Sequence, residues 1–339
     1  MIELTADNLH DYLSGQGWIG NEPAQAETMS GGVSNFVVRV TTPTSCFVLK
    51  QSRSQLRTRD PWFSDLDRIW REQEVMQALH PHLPEVVPEV LHVDRSNYVY
   101  AMTSAPLEAT VWKTDLLAGK IDLRLAVKAG QALGRIHQIS AEQSSVFEAF
   151  RDHNVYVQLR VDPFYRRVQE RRPEVAAALE PIIHDMLTIK EALCHGDYTP
   201  KNMLVHPVHP SPSGSGLGVE GFTLVDYETA HFGDPTMDLG LFLAHLTLKT
   251  LRDLERAPDF VNLMRAFWRA YLKNVSFCAH ADLERRGLKH LGVCLLARID
   301  GTSPIDYLPE ERLREWVRDR ARDILLGNLT SWEHLWHHL

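Results

Sequence analysis

The sequence predicts an α+β protein of two lobes: an antiparallel sheet with a packed helix first, then a larger, mainly helical lobe. Three observations carry this. Short β-branched and aromatic runs cluster between residues 35 and 103. Apolar residues at helical spacing dominate after 107. The length, 339 residues, is long for one compact core and short for three. The change of pattern at Ala105-Pro106 divides the chain into 1–104 and 105–339.

In the first lobe, "NFVVRVT" (35–41) and "CFVLKQ" (46–51) read as strands joined by the turn "TPTS". "LDRIWREQEVMQALH" (66–80) carries Leu66, Ile69, Trp70, Val75, Met76 and Leu79 at helical spacing. "VVPEVLHVD" and "NYVYAMT" are two more strands. The second lobe opens with the amphipathic helix 124–140, followed by a helix over 173–193. "LFLAHLTLKTLRDL", "FVNLMRAFWRAYLKNVSF" and "EERLREWVRDRARDILL" continue the helical run. Two short apolar strands, 202–205 and 222–227, interrupt it and flank a Pro/Gly/Ser segment expected to be a mobile loop.

Bulk composition excludes several classes. Apolar residues make up 44% and charged residues 24%, as in ordinary globular proteins. A net charge of −8 without a basic stripe argues against nucleic acid as a partner and leans towards cationic or neutral small substrates. Cys46, Cys194, Cys278 and Cys294 form no CxxC pair, so neither structural zinc nor a disulfide framework is indicated. No stretch reads as a membrane span, and "MIELTADNLHDYL" lacks the basic-then-apolar order of a signal peptide. The expected location is the cytoplasm.

The chemistry is concentrated in "CHGDYTPKNMLV" (194–205). Asp197 on a tight loop can take a proton from a hydroxyl, and Asn202 can ligate a metal through its carbonyl oxygen. Asp226 ends the next strand and can share a hard cation such as Mg²⁺ with Asn202; Glu228, two residues on, points the same way if the strand alternation persists. This order is expected where metal-bound ATP meets a hydroxyl acceptor. Upstream, Gly31 and Gly32 at a turn let backbone approach phosphate oxygens, with Ser34 and Asn35 able to add hydrogen bonds. Lys50 can reach the α- and β-phosphates if an acid holds it; Glu72 is the candidate, Glu74 the alternative. Taken singly, each has a plainer reading: a loop cap, a hairpin turn, a strand-end lysine, a solvated helix face. Their order along the chain carries the functional one.

In this order the residues resemble the aminoglycoside phosphotransferase / choline kinase group, which shares the protein-kinase-like fold. The resemblance runs from about 28 to about 300, and "HGDYTPKN" with "VDYETAHFGDPTMDLG" is its specific part. It implies a bilobal kinase-like architecture, with Asp197 as catalytic base, Asn202 and Asp226 on Mg²⁺, and Lys50 with Glu72 positioning the phosphates of ATP. It further implies a supporting role for His195, an anchoring one for Asp238, and a nucleotide-side hinge from Met102 to Pro106. Protein kinases themselves fit poorly: DFG and APE are absent, and Thr199 stands where they carry lysine. The basic and aromatic stretch "VLKQSRSQLRTRDPWFSDLDRIWREQE" resembles methylthioribose kinases, a branch that does not place Asn after the HGD loop as this chain does.

Other signals are weaker. Gly216 to Gly221 fits G-x-G-x-x-G, but a loop precedes it and a strand follows, so it is no dinucleotide fingerprint. His334 and His338 are four apart, yet read as a frayed, solvated tail. Arg298, Asp300 and Asp306 fall in a Gly/Ser/Pro break between helices, where the resemblance puts the cover of the acceptor pocket. Arg298 is read either as a substrate contact or as half of a structural ion pair.

The expectation is an ATP- and Mg²⁺-dependent transfer of phosphate to a hydroxyl of a small molecule. An aminoglycoside, a methylthioribose-type sugar and a choline- or homoserine-type acceptor all fit. The non-enzymatic alternative is a nucleotide-binding module that transfers nothing.

Overall fold

The computed structural model describes residues 1–20, 22–29, 35–53, 66–207 and 220–339. These form two compact units, Met1–Ala109 with Thr223–Glu228, and Thr110–Phe222 with Thr229–Leu339.

The first unit holds helix α1 (Leu9–Gly15), strands β1 (Gln25–Thr28), β2 (Asn35–Thr41) and β3 (Cys46–Ser52), helix α2 (Arg68–Leu79), and strands β4 (Val90–Asp94) and β5 (Val99–Thr103). The strands make one antiparallel sheet in the order β1-β2-β3-β5-β4. The β2–β3 turn closes on itself: Thr42 Oγ1 accepts from the backbone N–H groups of Thr44 and Ser45. Side chains alternate along β3. Phe47 and Leu49 join Phe36, Val38 and Val40 in the core that α1 covers with Leu9, Tyr12 and Leu13. Each such side chain contributes about 1.5–3 kcal/mol on burial. Lys50, out of phase with Phe47 and Leu49, points to the opposite face.

On α2, Ile69, Glu72, Met76 and Leu79 follow the helical repeat and are all buried. Glu72 thus lies inside an apolar stripe, 1% exposed, which requires a buried partner.

The second unit is mainly helical. It contains strand β6 (Thr110–Val111), helices α3 (Trp112–Leu117), α4 (Leu123–Glu142) and α5 (Ala176–Thr188), and strands β7 (Ala192–Cys194) and β8 (Met203–Pro207). Strand β9 (Glu220–Leu224) begins here and ends in the first unit. Strand β10 (His231–Gly233) follows, then helices α6 (Thr236–Arg252), α7 (Ala257–Leu272), α8 (His280–Asp300), α9 (Glu311–Leu325) and α10 (Trp332–Trp336). Helices α4 and α7 approach closely because Gly130 and Gly134, one turn apart, have no Cβ. A Cβ there would meet the carbonyl oxygens of Phe267 at 2.2 Å and Tyr271 at 2.9 Å.

The structure departs from the sequence reading in four places. The helix expected over 173–193 ends at Thr188, and 192–194 form the buried strand β7 paired with β10. Three residues are too few to show a period of two. Strand β9 stops at Leu224, so Asp226 lies beyond it. Arg298 is not in a break: α8 continues to Asp300 and places it in the last turn. The C-terminal tail is not frayed. Trp332, Leu335 and Trp336 are buried, Ser331 Oγ caps the His334 N–H, and Glu333 pairs with Arg265. His334 and His338 remain on the exposed side, their rings 5.4 Å apart. The Pro/Gly/Ser loop lies, over 208–219, outside the described residues. No described helix is long and apolar enough to cross a membrane.

Candidate active site

The most organised polar centre of the second unit is the loop between β7 and β8. Gly196 has φ +77°, and a Cβ there would lie 2.5 Å from the Thr229 carbonyl oxygen, so glycine alone fits. Asp238, in the first turn of α6 and fully buried, accepts from the backbone N–H of His195 at 2.6 Å and of Gly196 at 2.9 Å. Its Oδ2 also faces His137 Nε2 at 3.4 Å, and His137 Nδ1 meets the Tyr271 hydroxyl at 2.9 Å. Burial alone would raise the Asp238 carboxyl. The His137 hydrogen bond and the charge and backbone N–H of His195 outweigh it and hold the group below its usual range. A chain of buried hydrogen bonds therefore runs from α7 through α4 and α6 into the loop.

Asp197 sits at the loop's tip. Its Oδ2 accepts from Asn202 Nδ2 at 2.8 Å and lies 2.9 Å from the Arg160 guanidinium. Asn202 Nδ2 also reaches the Asp197 carbonyl at 2.9 Å. Two acceptors on one side oblige Asn202 to present its NH₂ there, which leaves its carbonyl oxygen facing elsewhere. Arg160 comes from a wide-turned π-helical segment, Val157–Arg166, and its Nε also donates to the Gly196 carbonyl at 2.8 Å. The Asp197 N–H points at His195 Nδ1, 3.2 Å away. Both side-chain contacts of Asp197 fall on Oδ2; Oδ1 takes part in neither.

The first unit has its own polar centre. Lys50 Nζ is 2.7 Å from both Glu72 carboxylate oxygens and 3.4 Å from Asp226 Oδ1. Burial pulls the ammonium's pKa down, but Glu72, Asp226 and Glu228 more than offset it, and it stays above its ordinary value. Glu74 pairs instead with Arg95 on the surface. Asp226 has φ +73°, a left-handed conformation that Asp tolerates better than most residues. The strand alternation that would have aligned Glu228 with Asp226 does not apply, because the strand has already ended. Glu228 turns to Arg68 Nε at 3.5 Å. Burial, then repulsion from Asp226, pushes its carboxyl up to about 7.

Asn35 directs its carboxamide oxygen to Arg68 at 3.1 Å, so it supports a buried arginine. Met102 is buried within β5, paired to Val48 and Val90, and β5 runs on to Thr103. Any hinge in Met102–Pro106 therefore begins after the strand. Gly31, Gly32 and Ser34 lie outside the described residues.

Sequence reasoning missed three residues here. Arg68 lies one turn before Glu72, and a charge at a core position on a helix signals a buried partner. His137 follows Ile136 and Leu133 on the apolar stripe of α4, which is the same signal. Arg160 had none, since the π-helical segment matches neither standard period.

Residues 25–272, well over half of the chain, match the sequence profile of the phosphotransferase enzyme family, APH. The chain belongs to that family. The chain is 23% identical over 269 residues to a methylthioribose kinase of Exiguobacterium sibiricum. The match covers 72% of the chain and 66% of that relative, just under two thirds of its length. Among solved structures, a Ralstonia eutropha protein provisionally described as an aminoglycoside phosphotransferase superposes with TM-score 0.57 at 13% identity, covering 96% of this chain and 98% of its own. A Plasmodium vivax ethanolamine kinase superposes with TM-score 0.54 at 11% identity, over 96% and 90%. These likenesses establish the kinase-like fold of the chain: an antiparallel sheet in the N-terminal region and a mainly helical remainder.

Proposed function

We propose that this phosphotransferase moves the γ-phosphoryl group of Mg-ATP to a hydroxyl of a small molecule. The bond from the γ-phosphorus to the bridging oxygen breaks, a bond to the acceptor oxygen forms, ADP leaves, and Asp197 receives the hydroxyl proton. The observation that carries the reading is the geometry of Asp197. Asn202 and Arg160 hold one carboxylate oxygen while the other is left to face an acceptor, on a loop pinned by a buried aspartate. Preorganisation of this kind is what phosphoryl transfer needs from a protein.

Lys50, held by Glu72, is the natural contact for the nucleotide phosphates. Asp226 in the first unit and Asn202 in the second each carry an oxygen of the kind that suits a hard cation. Bound Mg²⁺ would supply neutralisation of phosphate charge. The reading places the protein in the cytoplasm, where ATP is held. The methylthioribose kinase similarity favours a sugar-type acceptor over an aminoglycoside.

The test is transfer of labelled γ-phosphate from Mg-ATP to a panel of hydroxylated small molecules, with Asp197→Ala alongside. Turnover should fall on the order of a hundredfold or more in the variant while ATP affinity is retained. Turnover surviving within about tenfold would remove Asp197 from the role of base.

A further inference from the structure

The second unit contains a group of cations that the proposed transfer does not use. Lys249, in the last turn of α6, is 1% exposed. Its Nζ donates to the His245 carbonyl at 3.2 Å and lies 5.5 Å from the centre of the Tyr307 ring. Lys113 of α3 brings a second ammonium to 5.7 Å from the same ring. Arg298, in the last turn of α8, donates to Ser303 Oγ at 3.2 Å, but its Nε is buried and makes no hydrogen bond with any described residue. The Tyr307 hydroxyl is also buried with no such partner. Among the described residues, no carboxylate forms an ion pair with Lys249, Lys113 or Arg298.

Buried like charges without counter-charge are unfavourable. Burial, then Lys113 and Arg298, pull the Lys249 ammonium down to about 7. Burial first, then Lys249, Arg298, Lys113 and Lys201, hold the nearby His245 imidazole well below its usual range. The cluster belongs to the neighbourhood of the catalytic loop, since Arg298 also feels the charges of Asp197 and Arg160. A fold that gathers three cations and two unbonded polar atoms here, in a chain of net charge −8, is arranged for an anion.

We infer that Lys249, Lys113 and Arg298, gathered about Tyr307, form a subsite for an anionic group, carboxylate or phosphate, carried by the hydroxylated acceptor. This rests on the phosphotransfer reading and narrows it. The acceptor is a hydroxy acid or a phosphorylated polyol, unlike the cationic or neutral acceptor that the overall charge favours.

The experiment uses matched skeletons. Glycerate, glycerol 3-phosphate, glycerol and 3-amino-1,2-propanediol form one set; gluconate, glucose 6-phosphate, glucose and glucosamine form the other. Binding to the full chain is measured by calorimetry without nucleotide, with acetate and inorganic phosphate as bare anions. Transfer from Mg-ATP is measured separately. At least one anionic probe should bind about tenfold or more tightly than its neutral and cationic counterparts, a gap of about 1.4 kcal/mol. Lys249→Met and Lys113→Met should erase the gap and leave ATP affinity unchanged. Lys249→Met replaces a buried cation with an apolar chain, so its unfolding temperature should not fall.

Anion binding should also favour the charged ammonium. Apparent affinity should therefore weaken as pH rises through about 7, and binding at pH 8 should take up a proton. That proton uptake should vanish in Lys249→Met, with Lys113, Arg298, His245 and Tyr307 still in place.

The inference is overturned if no anionic probe binds with Kd below roughly 10 mM. It is equally overturned if neutral or cationic members bind as well, or if Lys249→Met keeps the anion preference. Its failure is distinct from that of the phosphotransfer reading. Transfer to neutral or cationic acceptors without anion binding sinks the subsite alone. Anion binding with no transfer to any acceptor supports the subsite and counts against the transfer.

Discussion

Asp238→Asn tests the most buried part of the candidate site. The carboxylate accepts two backbone N–H groups, of His195 on Oδ2 and of Gly196 on Oδ1, and faces His137. An amide can keep only one oxygen acceptor. If its oxygen stays on Gly196, the new NH₂ faces the His195 N–H. His137 can adapt by shifting its proton to Nδ1 and letting the Tyr271 hydroxyl accept, but a backbone N–H cannot. One charge-assisted bond is lost and a fully buried donor is left unmatched. The cost should be about 1.5–3 kcal/mol. For a chain of 339 residues that corresponds to a fall in Tm of about 2–4 °C. The loop shifts as well, so kcat should drop on the order of a hundredfold with little change in ATP affinity.

The pH dependence follows the same group. Its folded pKa is depressed, so its contribution is present above the ordinary carboxylate pKa of about 4 and is lost as pH falls through the folded value. Denaturant unfolding from pH 7 downward should therefore show a shallower acid loss in Asp238→Asn than in the parent. A variant within about 1 °C of the parent Tm, with the same acid limb, would refute the reasoning.

Two further outcomes are expected. Lys50→Met leaves Glu72, 1% exposed, without its ammonium, and should cost about 3–5 kcal/mol. Lys50→Met/Glu72→Leu should recover most of that stability by denaturant unfolding, with no recovery of ATP binding by calorimetry. Arg160→Met leaves Asp197 Oδ2 with Asn202 alone and removes the side-chain donor from the Gly196 carbonyl, and steady-state kinetics should show kcat lower by on the order of tenfold or more with KM for ATP unchanged. Arg160→Lys should restore only part of it, because a single ammonium cannot span both acceptors.

The parts of this fold that were legible in the sequence are those with a long, clean period. Strands β2 and β3 alternate against one core, and α4 and α7 run for several turns, so their residues announce themselves. The three-residue strands β7 and β10 are too short to carry a pattern, and the π-helical segment that bears Arg160 has a spacing outside either standard template. In the candidate site, order along the chain pointed to Lys50, Glu72, Asp197, Asn202 and Asp226; the structure pairs Lys50 with Glu72 and Asp226, and Asp197 with Asn202. That order could not show that Asp226 is left-handed, which turns Glu228 to Arg68 and removes it from the alternation argument. Lys249 was illegible for another reason. Among Leu246, Leu248 and Leu251 it looks like a lysine closing a helix, and only the structure reveals that it is buried with no ion-paired carboxylate among the described residues.

The short return of Thr223–Glu228 to the first unit has a consequence for inheritance. Neither unit is a continuous stretch of gene. A fragment ending at Ala109 would carry Lys50 and Glu72 but leave Asp226 and Glu228 behind. A fragment beginning at Thr110 would carry six residues that belong elsewhere. Recombination that swaps the helical portion between paralogues must therefore import a foreign Asp226 segment and fit it against the resident Lys50 and Arg68.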